Sequence, residues 1–117
     1  MRDDRKNVIV EKSVDFSLAI IKYTEVLEQD RKYVIAKQLL RSGTSIGANI
    51  FEAQNAESRA DFIHKMKIAA KESDETEYWL LLCKHSKYYP DPGGLIAASQ
   101  SIQKVLSKII SSSKSKG

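Results

Sequence analysis

Residues 38–52 read Gln38-Leu-Leu-Arg-Ser-Gly-Thr-Ser-Ile-Gly-Ala-Asn-Ile-Phe-Glu52, and how this stretch is read decides the fold. Apolar positions recur at helical steps, yet Ser, Thr, Asn and Gly, which all cost helix stability relative to Ala, fill the gaps. Propensity alone does not hold such a segment helical. Close packing against neighbouring helices does, so this stretch is expected at the centre of a helical bundle.

Working outward, the core series Ile35, Leu39, Ser42, Ile46, Asn49 and Ala53 predicts a helix over about 31–55, with Gly43 and Gly47 on an adjacent face beside Leu40 and Ile50. Small residues one turn apart allow another helix to come near. Asp30 is its expected N-cap. Before it, two apolar series, Val10, Val14, Leu18, Ile21 and Phe16, Ile20, Tyr23, Leu27, predict a helix over about 7–28. Together they make a stripe wider than one core face requires. A second face is therefore expected to meet another copy, with Val14, Phe16, Leu18, Ile20 and, on the third helix, Trp79 as candidate interface residues.

Ser58 followed by Asp61 has capping-box spacing and opens a third helix over about 59–87. Its seam is Phe62, Met66, Ala69, Ser73, Thr76, Leu80 and Cys83, with Lys65, Ile68, Glu72, Glu75, Trp79 and Leu82 in a line beside it. Asp91-Pro92 reads as an N-cap and first-turn proline for a fourth helix over about 93–112, with Leu95, Ala98, Ile102, Val105 and Ile109 inward. A flexible basic tail is expected over 113–117, and fraying over residues 1–6. Four long helices joined by short turns predict an all-α, antiparallel up-down-up-down four-helix bundle, as a single domain over 1–117.

The chain has 117 residues, 29% charged and 42% hydrophobic, the balance of an ordinary globular protein. Its single cysteine forms no intrachain disulfide, its longest apolar run (residues 78–83) is too short to span a bilayer, and residues 1–6 lack the apolar centre of a signal peptide. A cytoplasmic protein with no membrane association is expected. The formal net charge of +4 concentrates in two segments, residues 31–56 and 88–117, each with four basic side chains against one acidic. A polyanion partner is one reading of that excess; a solubilising surface is the other.

Folding the second helix back on the third about a turn near residues 56–57 places Arg41 opposite Glu72, Gln38 opposite Glu75, Ser45 opposite Ile68 and Val34 opposite Trp79. The expected polar core is Gln38, Arg41, Ser45, Asn49, Glu72 and Glu75, with an Arg41–Glu72 ion pair and Gln38 donating to Glu75; the alternative is that Glu72 and Glu75 form a wet helix edge. Glu72 and Glu75 do not suggest a di-metal centre: no Glu-x-x-His pair is present, and His64 and His85 are isolated. The run from Arg41 to Gly47 lacks the Gly-Lys-Ser/Thr ending and preceding strand of a phosphate loop. Cys83 sits on an apolar seam with no histidine one turn away, and no Ser/His/Asp set is recognisable. No cofactor, metal or catalytic residue is expected, and an enzyme is disfavoured.

With residues 38–52, Asp61-Phe62, the run Lys65-Met-Lys-Ile-Ala-Ala-Lys-Glu-Ser73 and the run Glu75-Thr-Glu-Tyr-Trp-Leu80 in view, the chain resembles the bacterial four-helix-bundle proteins first noticed as reading frames inside intervening sequences of 23S ribosomal RNA genes. The resemblance extends from residue 8 to about residue 110 and centres on Arg-Ser-x-x-Ser-Ile-x-x-Asn-Ile; Phe51 stands where Ala is often found. It implies an antiparallel four-helix bundle assembled as a homopentamer. A related branch, the accessory variability proteins of diversity-generating retroelements, forms a basic pentameric barrel working with a reverse transcriptase and nucleic acid. The expected role is thus a non-catalytic oligomeric scaffold or accessory factor that binds nucleic acid. Lys32, Lys37, Arg59, Lys65, Lys67, Lys104, Lys108, Lys114 and Lys116 are the candidate contacts. The alternative is an adaptor for an unidentified protein partner encoded nearby, with no nucleic-acid role.

Overall fold

A computed structural model describes residues 7–115. Four helices follow in order, α1 (Val8–Gln29), α2 (Tyr33–Ala53), α3 (Arg59–His85) and α4 (Leu95–Ser115), and the described residues contain no strand. Helix α1 packs on α2 and α4, and α3 packs on the same two, so each helix touches two neighbours and no diagonal partner. The body measures 48 × 22 × 20 Å.

The chain's local chemistry sets each helix end. Asn7 caps α1, its side chain accepting from the Val10 amide at 3.4 Å, while its Nδ2 donates to Gln54 Oε1 at 2.6 Å and ties the start of α1 to the end of α2. Asp30 does not start α2, as the sequence suggests; it closes α1. Arg31 then adopts φ 63°, its amide bonding to the Glu28 carbonyl at 2.9 Å and that of Lys32 to the Leu27 carbonyl at 2.8 Å. This is a Schellman ending with arginine where glycine is usual, and it uses up the residues that would have capped α2. Lys32 stands at that N-cap with no side-chain bond.

Ser58 caps α3, accepting from the Asp61 amide at 3.0 Å, and Asp61 Oδ2 accepts from the Glu57 amide at 3.2 Å. Asp91-Pro92 does not open α4. Pro92 accepts from the Leu95 amide at 3.2 Å in a turn that places Gly93 at φ +59°, and helical bonding begins with the Ala98 amide on Gly94. At the far end α4 runs on through Ser115, so residues 113–115 of the expected flexible tail are helical. Residues 1–6, 116 and 117 lie outside the described residues.

The core fills from all four helices, with Ile20, Leu27, Leu39, Ile46, Ile50, Met66, Leu80, Ile102 and Leu106 fully enclosed. Phe16 and Ile20 belong to this core and are withdrawn as interface candidates: on α1 the line Phe16, Ile20, Tyr23, Leu27 points inward. Val14, Leu18 and Ile21 point out, Leu18 being 60% exposed, while Val10 from the same series is buried. On α4 the buried line is Leu95, Ser99, Ile102 and Leu106; Ala98 is exposed, and Val105 and Ile109 flank the core half-buried. Starting two residues later than expected rotates no residue, but α4 sits in the trough between α1 and α3, which selects the Ser99–Leu106 line over the Ala98 one.

The polar and small residues of α2 now have their explanation. A Cβ on Gly43 would lie 2.9 Å from Ile20 Cγ2, and one on Gly47 would lie 3.2 Å from Ser17 Oγ, so the glycines let α1 come close. Buried Ser42 Oγ lies 3.0 Å from Thr76 Oγ1, which is also 2.7 Å from the Glu72 carbonyl. Asn49 Nδ2 donates to the Ser45 carbonyl at 2.9 Å. Across the core, Ser73 and Ser99 hydroxyls pair at 3.3 Å. Among the described residues no buried side-chain nitrogen or oxygen is left without a partner, as a stable interior demands.

Candidate interaction surfaces

Three surfaces carry the chemistry. The first is the edge between α2 and α3. Arg41 Nη1 lies 3.3 Å from Glu72 Oε2, and Nη2 pairs with Glu75 Oε2. Trp79 Nε1 donates to the same Glu75 oxygen at 2.9 Å. Gln38 does not donate to Glu75; its Oε1 accepts from Arg41 Nη2 at 3.5 Å. With side chains 49% exposed at Arg41, 20% at Glu72 and 36% at Glu75, this cluster is a wet edge, not a core. A guanidinium long enough to bridge both carboxylates reaches them from the rim, which leaves it solvated. Ser45 and Asn49 bond to each other at 3.2 Å and stay apart from the cluster.

Trp79 is held inside the chain by its bond to Glu75 and by the Tyr78 ring, edge-on at 5.3 Å between centroids. The apolar surface left uncovered lies elsewhere. Val14 and Leu18 of α1 share an open groove with Gly47, Ala48 and Phe51 of α2; Ile21, one turn beyond Leu18 on α1, and Leu40, earlier on α2, are also exposed. A second exposed cluster comprises Tyr33 and Val34 at the start of α2 and Tyr78 and Leu82 near the end of α3.

The candidate basic contacts do not form one patch. Lys65 Nζ is engaged by Glu52 Oε1 at 3.1 Å, and Lys32 Nζ sits 5.0 Å above the Tyr89 ring. Lys37, Arg59, Lys67, Lys104, Lys108 and Lys114 are exposed, and Lys116 lies outside the described residues. Lys104 and Lys108 line a shallow depression on α4 with Gln100, Gln103, Ser107 and Ser111. Helix α4 contains no acidic residue at all.

Two polar contacts were not legible in the sequence. Glu77 accepts from Gln103 Nε2 at 2.8 Å and from Gln100 Nε2 at 3.0 Å, bonds that hold its carboxyl below the usual glutamate range. Two glutamines spaced one turn apart on α4 were the available signal. Buried Tyr23 donates to the Pro90 carbonyl at 2.6 Å, and burial, together with the adjacent Cys83, raises its phenol. Burial likewise pushes the Cys83 thiol up, which suppresses the thiolate a nucleophile needs. Among the described residues no three His, Cys, Asp or Glu side chains converge as a metal site, and no helix is long and apolar enough to cross a membrane.

Four packed helices with hydroxyl pairs at their centre define an all-helical protein among the described residues. It belongs to the 23S rRNA-intervening sequence protein family, whose model matches residues 5–111. A crystal structure of a protein with unknown function from the S23 ribosomal protein family, from Bacteroides thetaiotaomicron, is similar at 46% identity with a TM-score of 0.83, covering 87% of this chain and 97% of that one. No curated protein matches the chain.

Proposed function

We propose that this protein is a non-catalytic, oligomeric accessory factor that associates with nucleic acid in the cytoplasm. Its helices run up-down-up-down, and copies assemble through the uncovered stripe between α1 and α2, as the homopentamer expected of the family. Support for the helix order comes from pairings such as Asn7 with Gln54 at one end of α1 and Ile20 with Gly43 further along, and Glu52 with Lys65 followed by Arg41 with Glu72.

The observation that carries the reading is the stripe itself: Val14, Leu18, Ile21, Leu40 and Phe51 are all exposed on two adjacent helices. Contiguous apolar surface of this kind marks an interaction site. A second copy is its simplest occupant, because a repeated stripe multiplies a charge of +4 per chain into a field that attracts a polyanion. Binding of nucleic acid measured over a salt series, on protein whose mass has been fixed by light scattering, tests both halves. Affinity that falls steeply with salt is expected; salt-indifferent affinity, or none at low salt, defeats the nucleic-acid half.

The exposed Tyr33, Val34, Tyr78 and Leu82 cluster favours a second reading, an adaptor for a protein partner. Capture from native lysate with and without nuclease separates the two, since an adaptor's partner survives the nuclease.

A further inference from the structure

The acidic residues of this chain are distributed unevenly around it. In the half built from residues 59–73 of α3 and 99–115 of α4, the only acids are Asp61 and Glu72. Both are turned away towards α2 or its turn: Asp61 accepts from the Glu57 amide, and Glu72 pairs with Arg41. On the opposite edge, facing α4, lysines stand without counter-charges among the described residues. Lys67 of α3 lies against Lys114 of α4, and that like charge depresses the Lys67 ammonium. Lys71 follows Lys67 one turn along α3, and Lys104 and Lys108 repeat the four-residue spacing on the outer face of α4. Asp74 marks the limit of the surface, and Glu77 just inside it is already occupied by Gln100 and Gln103.

Bringing two ammonium groups together across a helix pair costs free energy in water, and an anion between them removes that cost. We propose that this surface, Lys67, Lys71 and Lys114 with Lys104 and Lys108, receives the phosphate backbone of a nucleic-acid duplex. The proposal rests on the reading of the protein as nucleic-acid-associated and gives that reading a place. A duplex, not a single strand, fits because no aromatic ring is interleaved with these lysines. The exposed rings of Tyr78 and Tyr88 lie beyond Asp74, and single-strand sites use rings among their cations as stacking platforms. The neighbours on α4 are Ser107 and Ser111, short donors suited to phosphate oxygens and not to base faces.

The test compares a short blunt duplex with one of its own strands by fluorescence anisotropy across a salt series. It uses wild type, Lys67→Gln/Lys71→Gln, Lys104→Gln/Lys108→Gln and, as a control on another face, Lys37→Gln. Wild type is expected to bind the duplex more tightly than the strand. Each double variant is expected to weaken duplex binding about tenfold at low salt and to flatten the log–log salt slope by about two, while the control keeps both values. Circular dichroism is expected to be unchanged throughout, since all five substituted lysines are exposed. Duplex binding that survives both double variants, or is lost only with Lys37, overturns this surface and leaves the wider reading standing. Preference for the strand overturns the duplex assignment. No binding by wild type at low salt overturns the surface and the nucleic-acid reading together.

Discussion

Gly43 on α2 meets Ile20 on α1 so closely that a Cβ at position 43 would sit 2.9 Å from Ile20 Cγ2 and 3.0 Å from Cγ1. Ile20 is fully enclosed, and the nearest atoms branch directly from its own Cβ, so they cannot swing aside without a change of rotamer. At Gly47, one turn on, the nearest neighbour is Ser17 Oγ at 3.2 Å, a hydroxyl that rotates freely.

The two glycines are therefore expected to respond with opposite sign. Alanine in a helix interior gains about 1 kcal/mol over glycine, whereas forcing a methyl into a filled core costs about 1–3 kcal/mol. Gly47→Ala keeps most of the gain and is expected to be neutral or more stable. Gly43→Ala is expected to lose up to about 2 kcal/mol. Urea unfolding of the two variants checks this, and equal midpoints would show that α1 and α2 are not in contact at Gly43.

For the Arg41 cluster the expectation is a small effect. A buried ion pair broken on one side costs about 3–5 kcal/mol, but Arg41 is half exposed and its partners are wet, so the surface value of about 0–1 kcal/mol applies. Arg41→Gln should lower the urea midpoint slightly, and the difference from wild type should shrink in high salt. A loss above about 3 kcal/mol would mean that the pair is desolvated, as it would be under a second copy.

Alkaline pH should destabilise the fold through Tyr23 and Cys83. Both groups are held protonated by burial, so their pKa values in the native state lie above the ordinary 10.0 and 9.0. As pH rises past 9 the unfolded chain releases these protons first, binds fewer than the native state, and stability falls with each further step. Tyr23→Phe is expected to cost about 1 kcal/mol at neutral pH through the lost bond to Pro90. It should also make the decline above pH 10 shallower. Urea midpoints taken from pH 7 to 11 would show both; a decline identical in the two proteins would remove Tyr23 as its source.

What was legible in the sequence, and what was not, divides along one physical line. The seam of α3 from Phe62 to Cys83 was readable because seven positions keep one alternating spacing with no competing face, and all but half-buried Phe62 are enclosed. The facing of Arg41 and Glu72 followed from the shortness of the turn between α2 and α3. On α1 two apolar lines compete, and periodicity cannot say which one the chain keeps; Gly43 decides it by admitting Ile20. Helix ends failed where backbone conformation outweighed side-chain capping: Arg31 takes the left-handed position despite its Cβ, so Asp30 closes a helix instead of opening one. Lys67, Lys104, Lys108 and Lys114 were among the candidates the sequence offered, but their grouping with Lys71 on one surface depends on where the acids point, and direction is not written in composition.

The outward line of α1 supplies the last prediction. Leu18 is 60% exposed and lies in the α1–α2 groove with Val14 and Phe51, so a carboxylate there takes little from the chain's own core. Leu18→Asp is expected to keep its helical circular dichroism and lose the oligomer, because desolvating an unpaired charge in an apolar interface costs more than such a stripe contributes. Val34→Asp, at a still more exposed position on the other apolar cluster, should keep the wild-type mass. Light scattering on the three proteins distinguishes the outcomes. Wild type that sediments and scatters as a monomer, or a Leu18→Asp protein with undiminished mass, would mean that the α1–α2 stripe does not join copies of this chain. Loss of mass in Val34→Asp alone would move the interface to the cluster at the start of α2 and the end of α3.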